Sequence, residues 1–362
     1  MTSRSKLSKV LTIIVTIYLF LLSIKLLGHS FKQFQDLAEV MIKMTSNPFA
    51  GLIIGIVATS LIQSSSTTTA IVVGLVAGDA LSLSNAIPII MGANIGTTIT
   101  NTLVSLGHIK NREEFRRALS ASVVHDFFNI CVVIVLFPIE MKFHIISRAA
   151  SLLEHGFSGA GGMNMFNPLK IVLDPAINWI DHIFSLLPYK SAPMIIFSLF
   201  LMFASLTFLV KTIRSLMLTR MELIIGNYLF RNDVFGFIFG VLMTAIVQSS
   251  SVTTSLIIPL AGAGLVSVRQ IFPYTLGANI GTTVTAILAA MATQNSVAIT
   301  VAFSHLCFNI FGILLFYPLK FIPIRLALFV GDKASRSTKN LILFIAVYIL
   351  LHFVPVALIF LR

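Results

Sequence analysis

The chain has 362 residues, of which 57% are hydrophobic and only 10% charged, and its mean hydropathy is +0.97. That balance excludes an ordinary soluble domain and describes an all-α polytopic membrane protein. The formal net charge of +12 does not signal nucleic acid, because the basic residues fall in short clusters between apolar spans, as cytoplasmic loops require. Cys131 and Cys307 lie inside apolar stretches and define no disulfide framework.

Arg4, Lys6 and Lys9 precede an apolar stretch from Val10 to Leu27 that is too long for a signal-peptide core and is followed by no small-residue cleavage site. Residues 1–46 therefore read as a first transmembrane helix, N-terminus inside, and a polar outer segment carrying Lys32, Asp36, Glu39 and Lys43. Residues 47–140 form a first repeat. Its apolar run from Phe49 to Ala77 exceeds the roughly twenty residues that span a bilayer, and Gln63-Ser64-Ser65-Ser66 interrupts it near the centre. Two half-helices meeting there as a re-entrant hairpin fit better than one long helix. Asn85 to Leu106 makes the next crossing. Its run Gly92 to Thr98, with two glycines and Asn94, predicts unwound backbone. A basic loop (Lys110, Arg112, Arg116, Arg117) leads to a crossing from Leu119 to Phe137, closed by Pro138.

Residues 141–234 connect the repeats: a polar, glycine-rich stretch from Met141 to Asn167, an amphipathic interfacial helix from Leu169 to Leu187, a crossing from Pro193 to Val210, and an inner segment with Lys211, Arg214, Arg220 and Arg231. Residues 235–320 repeat the first unit. Gln248-Ser249-Ser250-Ser251 and Asn279 follow Gln63 and Asn94 at one offset of 185, and His305, Asn309 and Pro318 follow His125, Asn129 and Pro138 at 180. Residues 321–362 hold a basic inner segment (Arg325, Lys333, Arg336, Lys339) and a C-terminal transmembrane helix.

Charge orients the two units. The loop holding Arg112 is basic where its second-repeat counterpart, Thr293 to Ser296, is not, and the loop Gly78 to Ala80 lacks the cation that its counterpart has in Arg269. Equivalent loops thus lie on opposite faces, so the repeats have inverted topology around a site near the bilayer midplane.

Half-helices meeting at each Gln-Ser-Ser-Ser run aim backbone N–H groups, positive dipole ends and hydroxyl donors at one centre, which suits an oxyanion. The same hydroxyl and carboxamide oxygens are hard ligands for a small cation such as sodium. The anion candidates are Gln63, Ser64, Ser65, Ser66, Gln248, Ser249, Ser250 and Ser251, with Asn94 and Asn279. The cation candidates are Gln63, Thr67, Thr98, Gln248 and Thr283, with Ser120, Ser122, Asp126 and Asn129 on the crossing after the basic loop. A lone Ser/Thr run would read as helix packing; the duplication, the glutamines and the equally spaced asparagines argue for a site. Of the 13 acidic residues, Asp126 alone falls within a predicted span, and an intramembrane acid is functional by default. Leu306 stands at its counterpart position, so this charge breaks the symmetry and offers an extra cation site. His125 and His305 read as bonded to backbone or serine rather than as a proton relay or metal ligands. Arg112 reads as a topology determinant that also steers an anion at the cavity mouth.

At these residues the chain resembles the type II sodium-phosphate cotransporter family over nearly its whole length. The resemblance rests on both Gln-Ser-Ser-Ser runs, Ile87 to Met91, Phe115 to Ala118, Val124-His125-Asp126 with Asn129, and Thr283 to Ala290. It implies sodium-driven phosphate uptake, with the two runs forming the substrate and sodium sites, sodium as a co-transported ligand and no cofactor. It also implies an additional sodium at Asp126 in electrogenic members. Animal electrogenic members have alanines four and six residues before that Asp, whereas Ser122 and Ser120 stand here as in electroneutral members. The stretch from Met141 to Asn167 lacks the animal cysteines and the tails are short, so the resemblance is to a bacterial member in the inner membrane, with a homodimer as the expected assembly. The competing readings are a symporter of another small oxyanion, an anion channel, and an intramembrane hydrolase pairing a Ser with His125 or His305. Against the last, no nucleophile-elbow pattern surrounds the serines.

Overall fold

The structure, a computed structural model, describes residues 3–32, 45–160, 167–187, 190–225 and 232–360. Among these every regular element is helical: α1 (Ser3–Lys32), α2 (Pro48–Ile62), α3 (Ser65–Ala77), α4 (Leu83–Gly96), α5 (Ile99–Leu106), α6 (Arg112–Phe143), α7 (Ile145–Gly159), α8 (Asn167–Phe184), α9 (Ser191–Ile225), α10 (Asp233–Val247), α11 (Ser250–Ser255), α12 (Ile258–Gly262), α13 (Val268–Thr293), α14 (Ser296–Phe316), α15 (Phe321–Ser335) and α16 (Thr338–Phe360). Six described stretches are long and apolar enough to cross a membrane: Lys9–Ser30, Leu83–Leu106, Arg112–Phe143, Ser191–Leu209, Val268–Thr293 and Ser296–Phe316. The chain is an all-α polytopic membrane protein. Parts of the expected outer segment (33–44) and glycine-rich connection (161–166) lie outside the described residues, as do the side chains of Lys211, Arg214, Arg220 and Arg231.

The helices α2 and α10 have 15 residues each, about 22 Å at 1.5 Å per residue, too short to cross a hydrocarbon core of about 30 Å. Each ends at its glutamine. Gln63 (φ 56, ψ 29) and Gln248 (φ 58, ψ 25) are left-handed, and Ser64 and Ser249 after them are extended, at φ −151 and −153. A left-handed residue followed by an extended one reverses the chain without a glycine, so each run breaks a helix and starts another. Ser64 Oγ caps the new helix by accepting from Thr67 N at 3.2 Å, and Ser249 Oγ accepts from Val252 N at 3.3 Å.

Glycine decides what the half-helices pack on. A Cβ on Gly55, Gly92 or Gly96 would strike Ile89 O, Leu52 O or Ile56 O across the α2–α4 contact, and one on Gly240, Gly277 or Gly281 would strike Tyr274 O, Phe237 O or Val241 O across α10–α13. The three contacts of the first copy recur in the second at the sequence offset of 185, and such backbone approach is how helices associate without a hydrophobic driving force. The second arms also cross over. The arm α3 packs on α13 and α14, while α11 and α12 pack on α5 and α6, so each hairpin leans on the opposite half of the molecule.

Three local expectations change. The Gly92 to Thr98 run stays helical to Gly96 and its counterpart runs unbroken through α13, because the glycines serve close packing and Asn94 Nδ2 donates to Ile90 O at 3.0 Å instead of opening the turn. Only Thr97 and Thr98 interrupt the first copy. Pro138 lies inside α6, which ends at His144 in the left-handed conformation. Met141 to Gly159 is helical except at His144: Glu140, buried near the end of α6, accepts from Ile146 N at 2.6 Å and Ser147 N at 3.2 Å and so starts α7. Glu140 thus lies near one end of α6, as Glu113 and Glu114 lie in its first turn, while Asp126 sits near its middle. The helix expected at Leu169–Leu187 is α8, tied to α1 by Lys25–Asp174 (2.5 Å) and His29–Asp181 (2.9 Å).

Candidate functional site at the paired helix breaks

The two breaks meet. Ser251 Oγ lies 3.4 Å from Gln63 O and 3.3 Å from Thr97 O, joining residues 188 and 154 positions apart in the chain. Ser65, Ser66, Ser250 and Ser251 are buried there, at the starts of α3 and α11, where the first N–H groups of a helix have no partner within it. Thr254 Oγ1 donates to Asn101 Oδ1 at 3.0 Å, and Tyr274 Oη donates to Thr253 O at 2.9 Å. The apex thus presents hydroxyls, orphan amides and carbonyl oxygens at close quarters, with no acid or base among these contacts.

A second layer joins the repeats. Asn279 Nδ2 donates to Asn129 Oδ1 at 2.8 Å, Asn279 Oδ1 lies 2.6 Å from His125 Nε2, and Asn129 Nδ2 donates to Asn94 O at 2.7 Å. The mirror set is not made. Asn94 Nδ2 goes to Ile90 O, Asn309 Nδ2 donates to His305 O at 2.9 Å, and Asn309 Oδ1 and both ring nitrogens of His305 are buried without partners. The glutamines differ likewise. Gln248 Oε1 accepts from Thr285 Oγ1 at 2.6 Å and its amide donates to Ala245 O, whereas Gln63 is exposed and Thr100, the counterpart of Thr285, has a buried hydroxyl without a partner. Inside the hairpins the asymmetry is reversed: Thr59 donates to Thr68 at 3.0 Å, while the equivalent Thr244 hydroxyl is unpartnered.

The remaining candidates divide. Thr67 Oγ1 donates to Ser64 Oγ at 2.8 Å beside the apex, and Thr283 Oγ1 turns back to Ile280 O at 2.7 Å. Asp126 is buried with Oδ1 unpartnered, and its Oδ2 accepts from Tyr348 on α16 at 3.4 Å. Ser122 Oγ donates to Leu119 O (2.8 Å); Ser120 Oγ donates to Arg116 O (2.8 Å) and sits against Gly331 of α15. Neither serine bonds to Asp126, and Asn129 serves the asparagine layer. Arg112 lines a cleft with Phe115, Ser335 and Thr338; the arginine that touches a hairpin is Arg117, whose Nε donates to Gly262 O at 2.8 Å beside the His108 ring. Thr285, Asn101, Tyr274 and Tyr348 carry no local sequence signal. Only Thr285 and Tyr274 were within reach of reasoning, through their offsets from Thr100 and Ile89.

Fold and site together define a class: a multi-pass helical membrane protein whose two broken-helix pairs bring their breaks together in a buried polar centre. Residues 19–166 and 199–330 match the family model described as Na+/Pi-cotransporter. The chain belongs to that family. It is 34% identical over 430 residues to sodium-dependent phosphate transport protein 2A of Rattus norvegicus, an alignment covering 96% of this chain and 67% of that relative. For the 2A protein of Ovis aries the values are 34%, 92% and 65%, and for sodium-dependent phosphate transport protein 2B of Homo sapiens 31%, 92% and 63%. The chain spans about two thirds of the length of these curated relatives. No solved structure matches it.

Proposed function

We propose that this protein carries inorganic phosphate into the cell together with sodium, by alternating access around the paired breaks. The observation that carries the proposal is the meeting of the two Gln-Ser-Ser-Ser apices through Ser251, Gln63 O and Thr97 O. Orphan N–H groups at the starts of the second arms, with the Ser65, Ser66, Ser250 and Ser251 hydroxyls, supply donors for phosphate oxygens. Carbonyl, hydroxyl and carboxamide oxygens of Gln63, Thr97, Gln248 and Ser251 supply hard ligands for sodium alongside. An anion at membrane depth is costly, and cations bound beside it lower the cost of moving it.

The unequal asparagine layer supports the alternating part of this reading. In the state described, Asn279 engages Asn129 and His125, while Asn309 and His305 leave three buried polar atoms without partners. Such atoms cost roughly 1–3 kcal/mol each. Exchange of roles between inverted repeats would satisfy one set as it releases the other, giving two states of comparable energy. Each net charge moved inward contributes about 2.3 kcal/mol per 100 mV to accumulation.

Proteoliposomes provide the test. Phosphate uptake should be saturable and should require an inward sodium gradient. Uptake that persists unchanged without the gradient means a channel, and stronger inhibition by sulfate than by unlabelled phosphate means a different oxyanion. Residence in a bacterial inner membrane and assembly as a homodimer belong to the same proposal; mass measurement of the detergent-solubilised protein tests the assembly. The family is one of cotransporters, which leaves the hydrolase reading without support and implies no cofactor.

A further inference from the structure

We propose that the last helix, α16, completes a cation site at Asp126, with Tyr348 as a ligand that sets its affinity. This rests on the reading of Asp126 as a sodium residue and adds the groups that would share the ion with it. Asp126 is buried near the middle of α6, with Oδ1 unpartnered and Oδ2 3.4 Å from Tyr348 Oη. Thr102 Oγ1 of α5 lies 3.3 Å from the same phenol oxygen, and the Thr98 hydroxyl is also within its hydrogen-bonding reach.

The spacing is the informative quantity. An O–H···O hydrogen bond settles at about 2.7–2.8 Å, so both contacts are slack by roughly half an ångström. Oxygen ligands about 2.4 Å from a calcium-sized ion, and sodium is of that size, stand roughly 3.4 Å apart along the edges of an octahedron. Asp126 and Thr102 therefore each stand from the Tyr348 oxygen at the separation such an ion requires rather than the one a closed hydrogen bond prefers. Asp126 supplies the charge, and the phenol and threonine hydroxyls supply neutral oxygens. When the ion leaves, the phenol O–H again donates to the carboxylate, so the acid keeps a hydrogen-bond partner. The ring is held by Phe344 (centroids 5.6 Å apart) and His352 (4.3 Å), which fixes where the hydroxyl points. Tyr348 lies outside both sequence repeats and Leu306 replaces Asp126 in the second, so the site exists once.

The test compares Tyr348→Phe, which keeps the stacked ring, with Asp126→Asn in proteoliposomes, measuring radioactive sodium and phosphate fluxes together. Tyr348→Phe should raise the sodium half-saturation about tenfold, the scale of a lost metal-site partner, and lower the sodium-to-phosphate ratio, with phosphate half-saturation at saturating sodium within about twofold of the parent. The gain in detergent-phase thermal stability on replacing choline chloride by sodium chloride should shrink in parallel. Thr102→Val should act in the same direction and serves as the second variant should Tyr348→Phe not fold. An altered Asp126→Asn beside parent-like sodium dependence in both Tyr348→Phe and Thr102→Val overturns the role of Tyr348 and leaves Asp126 standing. Parent-like behaviour of all three overturns the Asp126 reading as well. A uniform loss of transport with the sodium response and flux ratio intact makes Tyr348 a packing residue and also overturns the proposal.

Discussion

Gln63 and Gln248 hold positive φ values of 56 and 58, a conformation that costs a non-glycine residue about 1 kcal/mol or more. That cost is sustained at both copies because the left-handed turn ends one half-helix and aims the next. Gln63→Gly should therefore fold at least as well as the parent and still lose sodium and phosphate affinity with the carboxamide; unchanged half-saturation for both would remove Gln63 from the site. Gln248→Ala should likewise lose sodium and phosphate affinity and also free Thr285. Asp126→Gly should reduce the charge moved per phosphate, read as current against tracer uptake, and an unaltered ratio would end that role. The glutamines, asparagines and Asp126 were legible in the sequence because they are polar residues in apolar spans. Tyr348 was not, since a tyrosine in an apolar helix is ordinary and its partner is 222 residues away.

The broken pairs owe their geometry to glycine. Gly277→Ala would drive its methyl into Phe237 O, and Gly92→Ala into Leu52 O; each should cost about 1–3 kcal/mol, seen as earlier loss of the monodisperse protein on heating. The offset of 185 made these glycines visible as pairs, but not which backbone each one admits. Glu140 acts across an element boundary: Glu140→Gln should weaken the start of α7 by about 1 kcal/mol, on the same assay. Where α10 begins, the Lys320 ammonium, 2.6 Å away, holds the Asp233 carboxyl below its ordinary value. A depressed carboxyl contributes stability that is complete above its unfolded pKa and is lost as pH falls through the folded one. Asp233→Asn should therefore flatten the acid limb of the stability profile below about pH 4, modestly, because the pair is largely exposed.

At the scale of the molecule the hairpins act through their crossing. Each first arm packs on the glycine-rich helix of its own half, and each second arm also reaches the other half, where the asparagine layer links the two repeats. Asn129→Ala should favour the exchanged arrangement and Asn309→Ala the one described. Spin labels just after the second arms, at Asp79 and Ala263, would report this as opposite changes in the balance of distances measured by pulsed electron resonance. Identical distributions in both variants would mean that the layer is static packing.

The sequence by itself determined the membrane setting, the duplicated unit with its offset of 185, the position of each helix break and the candidate ligands. Those follow from which residues are polar where lipid excludes water, a local property. The tertiary structure alone decided that the two breaks meet, that one asparagine layer is made and its mirror is not, and that α16 reaches Asp126. The reason is physical: a repeat specifies equal local conformations at Gln63 and Gln248, but two similar units packed together can share their bonds unequally. Which partner each buried polar atom takes is settled only when the helices are in place.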